Sequence, residues 1–293
     1  MTDVAVVVGN FEGAEVLPEC LDSLRRQTRP PSEVIVVDAA SRDGSVDVAR
    51  RFGARVVRAE NRGLGFLYNT GVRSSAADYV LLANNDVALD ERCLQALAGA
   101  LDEDPTRFAA DAKQLDWAGA RVVHGHTTIQ PGRLTGEYLP GLHLEHLGQA
   151  ETTLPTVCAN GAAMLVRRQM MLELAGFDET FFMEWEDLDL CWRAWLRGWP
   201  TVHVPGAVVR HRVGAVTTPA VRARRAASSH HNLVRFALKC LPWGAAARVV
   251  LGELLRLPRH PQAVAGGLVA VVRELPEIVR LRRQLRPRMV EVG

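Results

Sequence analysis

Residues 78–89 read DYVLLANNDVAL. Tyr79 to Ala83 form an unbroken apolar run, which stops on Asn84, Asn85 and Asp86. A strand that is apolar on both faces belongs inside a sheet covered on both sides, so a polar triplet at its end marks where it leaves the core. The question is what else arrives at the same edge. Upstream, VAVVVGN (4–10), SEVIVVDAA (32–40) and ARVVRAE (54–60) are further apolar, β-branched runs. Between them, EVLPECLDSLRRQ (15–27), SRDGSVDVARRFG (41–53) and GFLYNTGVRSSA (65–76) carry helical spacing, with Ser41 as the expected N-cap of the second. Strand and helix in alternation predict an α/β fold with a mostly parallel central sheet flanked by helices. Ligands of such sheets bind beyond the carboxyl ends of the strands. Asn10 to Glu12, Asp38 and Asn84 to Asp86 all fall there.

Whole-chain properties narrow the function classes. At 293 residues with 48% hydrophobic content the chain can bury a large core without staples. Its five cysteines show neither pairing nor metal-ligand spacing, and no leader-like stretch precedes Val4, which points to a reducing cytoplasm. The longest apolar run near the C-terminus, AVAGGLVAVV (263–272), is shorter than the ~20 residues a membrane-spanning helix needs. The net charge of +2 conceals an asymmetry: residues 222–293 hold 14 Lys and Arg against 4 Asp and Glu. A domain of residues 1–218 and a basic amphipathic helical region of residues 219–293 are therefore expected. In that region, proline is expected to separate short helices, PQAVAGGLVAVVREL from PEIVRLRRQLR among them.

Residues 111–156 lose regular periodicity. Their histidines, His124, His126, His143 and His146, lack the spacing of a metal cluster and read as solvated loop residues beside a substrate site. Further on, a helix from about Glu184 to Arg197 sets Leu188, Cys191, Trp192 and Trp195 on one core-facing stripe. Asp187 and Asp189 flank that stripe and Glu186 points away from it. Periodicity does not choose among the three carboxylates.

Read in order, VGNFEG (8–13), VIVVDAASRDGS (34–45), NRGLGFLYNTG (61–71), LLANND (81–86), ANGAAMLVRR (159–168) and AGFDETFFMEWEDLDLCWR (175–193) resemble the inverting family 2 glycosyltransferases of the GT-A fold. The resemblance runs from about residue 4 to 215 and is strongest to the rhamnosyltransferase-like bacterial branch. It implies transfer of a sugar from a nucleotide-diphosphate donor, dTDP-rhamnose or a UDP-sugar, to a hydroxyl of a glycan, glycolipid or small molecule, with inversion. Nucleic acid is not among the implied partners. Asn10, Glu12, Asp38, Asn69, Asn84 and Asn85 match nucleotide-sugar positions, Asp38 as acceptor for a pyrimidine N–H. Asp86 matches the last position of the family's Asp-x-Asp motif and would hold Mg²⁺ or Mn²⁺, with His211 of VVRHRVGAV (208–216) completing the coordination. Asp187 matches the catalytic base, with Glu186 beside it. Ala39 and Glu12 depart from the usual residues, so base and sugar pockets unlike the common pattern are expected; Asn84 departs at the first position of the metal motif and Val216 in the histidine motif.

Three other readings carry less. A sugar nucleotidyltransferase opens with a Gly-rich basic loop, which VGNFEGAEV lacks; a dinucleotide dehydrogenase needs the G-x-G-x-x-G that does not follow Val8. A catalytically impaired binding protein would fit Asn84 and Ala39, but not Asp86, Asp187 and His211 together. Arginine beside Leu and Val in residues 219–293 suits either an anionic membrane surface, with the enzyme peripheral at the inner face of the plasma membrane, or a helix layer packed within one chain or a homodimer.

Overall fold

The computed structural model of the chain describes residues 2–131, 142–147, 150–214 and 219–289. The first part runs β1 (Val4–Asn10), α1 (Leu17–Arg25), β2 (Glu33–Asp38), α2 (Ser45–Arg51), β3 (Arg55–Arg58), α3 (Leu64–Ser74) and β4 (Tyr79–Asn84). The strands lie in the order β3-β2-β1-β4, all parallel, with a helix in every crossover. The order reverses at β1, which has β2 on one side and β4 on the other. That is the switch point where such sheets open a crevice.

The second part holds β5 (Val87–Leu89), α4 (Cys93–Asp102), β6 (Ala109–Asp116), β7 (Val122–His124), β8 (His126–Pro131), β9 (Leu142–Leu147), β10 (Leu154–Thr156), β11 (Ala163–Arg167), α5 (Arg168–Glu173), α6 (Glu186–Trp195) and β12 (Thr201–His211). Parallel pairing gives way here. β11 runs antiparallel to both β4 and β6, while β12 is parallel to β6 and antiparallel to β5 and β10. Helices α7 (Pro219–Cys240), α8 (Trp243–Arg256) and α9 (Pro261–Met289) complete the chain. None of the described helices is long and apolar enough to cross a membrane.

Alternate residues of each central strand feed opposite sides of the sheet, as the two-residue period requires. Val7, Ile35, Val80 and Leu82 pack with Tyr68, Phe181, Leu188 and Phe236 on one face. Val6, Val8, Val36 and Leu81 pack with Leu17, Leu21, Leu94 and Leu97 on the other. Phe236, Ala237 and Cys240 of α7 and Val249 of α8 belong to the first of these clusters, so the C-terminal helices share the core of the sheet.

Two local expectations fail for physical reasons. Ser41 caps no helix: α2 begins at Ser45 after Gly44 in the left-handed region (φ 85°), because the Ser41 hydroxyl is taken by the backbone N–H of Glu12 at 2.9 Å. Nor does Pro276 break the last helix. α9 continues through it, since Val264, Val271 and Ile278 are buried and tertiary packing outweighs the ~3 kcal/mol of an interior proline.

Candidate active site

A cavity of about 480 Å³ lies beyond the carboxyl ends of β1 and β4. Asn10, Asn84, Asn85, Asp86, Glu186, Asp187 and His211 all line it. Residues separated by up to 201 positions thus meet because β1, β4 and β12 end, and α6 begins, at one edge.

The floor is an amide and carboxylate network. Asn10 Nδ2 donates to Asp38 Oδ2 at 2.8 Å and to Ser45 Oγ at 3.0 Å, and Asn85 Nδ2 donates to Asn10 Oδ1 at 2.8 Å. Gly13 permits this pairing: a Cβ there would lie 2.4 Å from Asn10 Oδ1 and 2.2 Å from Asn85 Nδ2. Asp38 is fully buried and stands behind the cavity rather than on its wall. Its other oxygen accepts the Ser41 N–H at 3.1 Å and Arg58 at 3.0 Å, so the carboxylate expected to face a base is committed to internal partners. Glu12 also lies off the wall. Held at φ 48°, it accepts the backbone N–H of Arg42 at 2.9 Å. Asn69 is farther still: its amide donates to the Phe177 carbonyl at 3.0 Å and its oxygen accepts the Phe177 N–H at 2.9 Å, clamping the loop before α6.

Asp86 and His211 come together as the motifs imply. His211 Nε2 is 3.3 Å from Asp86 Oδ1, while its Nδ1 is 2.9 Å from Gln114 Oε1. β5 pairs with β12 in a register that matches His211 with Val87, which fixes this approach. Asp86 is 8% exposed, and its Oδ1 has no hydrogen-bond partner among the described residues. A buried carboxylate oxygen aimed into a polar cavity without a donor fits a hard cation. No group of three or more such ligands occurs among the described residues, so Asp86 and His211 would supply a minority of a divalent ion's ligands.

The opposite wall begins α6. Glu184 and Trp185 both adopt left-handed backbone, φ 71° and 69°, a conformation costing of order 1–3 kcal/mol for each such residue. The strain is held from α7. Asn232, fully buried, donates to the carbonyls of Met183 and Glu184 at 2.9 and 2.8 Å. Phe236 stacks on Trp185 with centroids 6.5 Å apart, and Arg225 forms an ion pair with Glu184. This abrupt turn delivers Glu186 and Asp187 to the cavity as the first residues of the helix.

The two carboxyl groups differ in environment. Burial, then the neighbouring Asp187 charge, pushes Glu186 up to about 8, and Glu186 Oε2 has no hydrogen-bond partner among the described residues. Burial also raises Asp187, but the Leu188 N–H at 2.8 Å and the Gly161 N–H oppose the rise. Of the two, Glu186 therefore holds a proton the more readily and Asp187 is the one more readily left as the carboxylate. Asp189 has no part in the cavity; it is fully buried and bonds Arg193 Nε at 2.8 Å.

Several contributors were invisible along the chain. His124 is not a solvated loop residue: it is 6% exposed, lines the cavity and lies 3.4 Å from Asp111. Burial works against its charging, but the Asp111 carboxylate prevails and raises it. His126 is partly exposed with Nε2 2.8 Å from the Pro155 carbonyl, while for His143 and His146 in β9 the backbone alone is described. Gln114, Arg225 and Asn232 sit outside every motif. Only spacing in three dimensions links them to Asp86 and Asp187. Val216 lies outside the described residues.

Known proteins resemble the chain over most of its length. The model of the family described as glycosyl transferase family 2 matches residues 5–171. An N-acetylglucosaminyl-diphospho-decaprenol L-rhamnosyltransferase of Mycobacterium tuberculosis is 29% identical over 239 residues, covering 72% of this chain and 76% of that protein. Among solved structures, GalNAc-T7 with UDP, GalNAc and Mn²⁺ superposes with a TM-score of 0.66 at 14% identity, covering 90% of this chain and 51% of that one. The mannosyltransferase PcManGT from Pyrobaculum calidifontis, in complex with GDP-Man and Mn²⁺, gives 0.56 at 19% identity, covering 99% and 88%. The chain spans about half of the first of these two and most of the second. The fold is GT-A.

Proposed function

This chain belongs to glycosyl transferase family 2, and from that premise we propose that it transfers a sugar from a nucleotide-diphosphate donor to an acceptor hydroxyl with inversion. The observation that carries the reading is one cavity with two unlike walls. Asp86 and His211 form a cation-ready wall, and Glu186 with Asp187 form an acid and base wall.

Asn10, Asn84 and Asn85 offer amide groups to the nucleotide sugar at the switch point. Asp86, with His211 oriented by Gln114, would hold Mg²⁺ or Mn²⁺. A bound divalent ion supplies charge neutralisation for a departing diphosphate. Asp187 takes the proton from the acceptor hydroxyl as that oxygen attacks the anomeric carbon from the face opposite the leaving group. Its raised affinity for protons makes it a better base than a solvent-exposed aspartate. Glu186, neutral over much of the physiological range, donates a hydrogen bond without adding a second negative charge. Displacement in one step from the opposite face gives inversion.

The mycobacterial relative favours dTDP-rhamnose as donor and a glycolipid acceptor in cell-surface glycan synthesis, with UDP-sugars as the second choice. Thermal shift with dTDP-rhamnose, UDP-glucose and UDP-N-acetylglucosamine, each with Mn²⁺, with Mg²⁺ and with chelator, tests the assignment. A ligand that binds only the folded form raises the melting temperature. The expected outcome is a metal-dependent rise with dTDP-rhamnose; no rise with any nucleotide sugar would overturn the reading.

A further inference from the structure

Helix α8 presents its side chains the wrong way round for water. Its buried residues are Ala246, Val249, Gly252 and Glu253, and Glu253 is only 1% exposed. That carboxylate is held inside by His230 Nδ1 at 2.5 Å and Arg256 at 2.7 Å. The opposite side carries Trp243, Leu251, Leu254 and Leu255, exposed by 56%, 51%, 47% and 53%. At 100° per residue these four fall within an arc of about 120°. A single exposed leucine is ordinary, but a contiguous apolar stripe is not.

The stripe is bordered by basic residues. Arg248 borders the arc and Arg259 follows the helix end, both exposed, and the one acid of α8 is the buried Glu253. Trp243 is braced at the start of the helix by the Arg282 guanidinium, 3.8 Å from its ring centroid. On the neighbouring helix, α9 exposes Val269, Val272 and Leu275 beside Arg273. Apolar side chains bordered by arginine, with tryptophan at one end, match the boundary between acyl chains and anionic headgroups. With no described helix able to cross a membrane, the contact is one of lying on the surface.

We propose that the outward face of α8 docks the protein on an anionic bilayer. The face is independent of the transfer site, so the proposal stands or falls without the donor assignment. The test is flotation of the full chain with vesicles of phosphatidylcholine alone and of phosphatidylcholine mixed with phosphatidylglycerol. The wild type is expected to float with the mixed vesicles and stay behind with the neutral ones. Combining Leu251→Ser, Leu254→Ser and Leu255→Ser should cut the floating fraction at least about tenfold, given roughly 0.8 kcal/mol per buried methylene. Arg248→Glu with Arg259→Glu should abolish the preference for anionic lipid. Circular dichroism and the metal-dependent thermal shift report separately on folding and on the transfer site. Three results would overturn the proposal: no flotation of the wild type, equal flotation of the serine variant, or a solution dimer in light scattering that the serine variant dissociates.

Discussion

Charge is buried in two regions of this molecule, and the two treat it differently. In the α7–α9 layer the largest buried cations are answered. Arg235, with no exposed surface, bonds Asp178 at 3.1 Å and Glu274 at 2.8 Å. Lys239 lies 2.5 Å from Asp178 and 2.7 Å from Asp189. At the sheet edge, the buried Asp86 Oδ1 and Glu186 Oε2 have no hydrogen-bond partner among the described residues, and Asp86 faces the His211 ring at 3.3 Å. Paired burial holds a structure together, whereas unpaired burial facing a cavity is paid for by binding or catalysis. Buried charge alone therefore does not mark a site; an unmet valence facing a cavity does.

The contrast can be broken at several points. The largest effect is expected from Asp187→Asn, which should lower turnover by about 10²–10⁴-fold while the thermal shift with donor and metal persists. Retained turnover would move the base to another residue. In the paired region the loss should appear in stability instead. Lys239→Met takes one of two cations from each of Asp178 and Asp189, which keep Arg235 and Arg193, and is expected to cost roughly 1–3 kcal/mol in denaturant unfolding.

Asn232→Ala tests the seam between the regions. It strands the carbonyls of Met183 and Glu184, for an expected ~1–3 kcal/mol. Because those carbonyls set the entry to α6, kcat should fall more than KM rises. Equal changes in both would reduce Asn232 to a purely structural residue.

The smallest effect is a pH dependence. Folding lifts the Glu186 carboxyl from 4.5 to about 8. A raised acid favours folding while it is protonated, and that contribution is lost as pH rises from the unfolded value through the folded one. Glu186→Gln has no proton to lose. Its melting temperature relative to wild type should therefore climb by at least about 2–4 °C between roughly pH 5 and pH 9. A constant difference across that range would remove the shifted carboxyl from the account.

How much of this could be read along the chain follows the same division. The triplet at 84–86 was legible because a strand buried on both faces has one place to end, and Asn10 ends the neighbouring strand by the same rule. The resemblance put His211 and Asp187 at one site, and both line the cavity, since motif order substitutes for distance. Asp38 and Asn69 lie off the cavity wall with partners inside the protein: sequence shows that a polar group exists, not which partners it takes. The basic residues of 219–293 left two readings open along the chain, a membrane-facing surface and a packed helix layer. Charge counted along a segment reads as surface, while Arg235, Lys239 and Arg282 are buried.

Period and pattern in the linear chain were enough for the parallel half of the sheet, its covering helices and the edge at which ligands gather, because these rest on local apolar repeats. The reversal at β11, the unbroken α9, the left-handed entry to α6 and its support by Asn232 came only with the folded chain. Each depends on which distant atoms meet a given hydrogen-bond donor, acceptor or charge, and no one-dimensional spacing encodes that partnership.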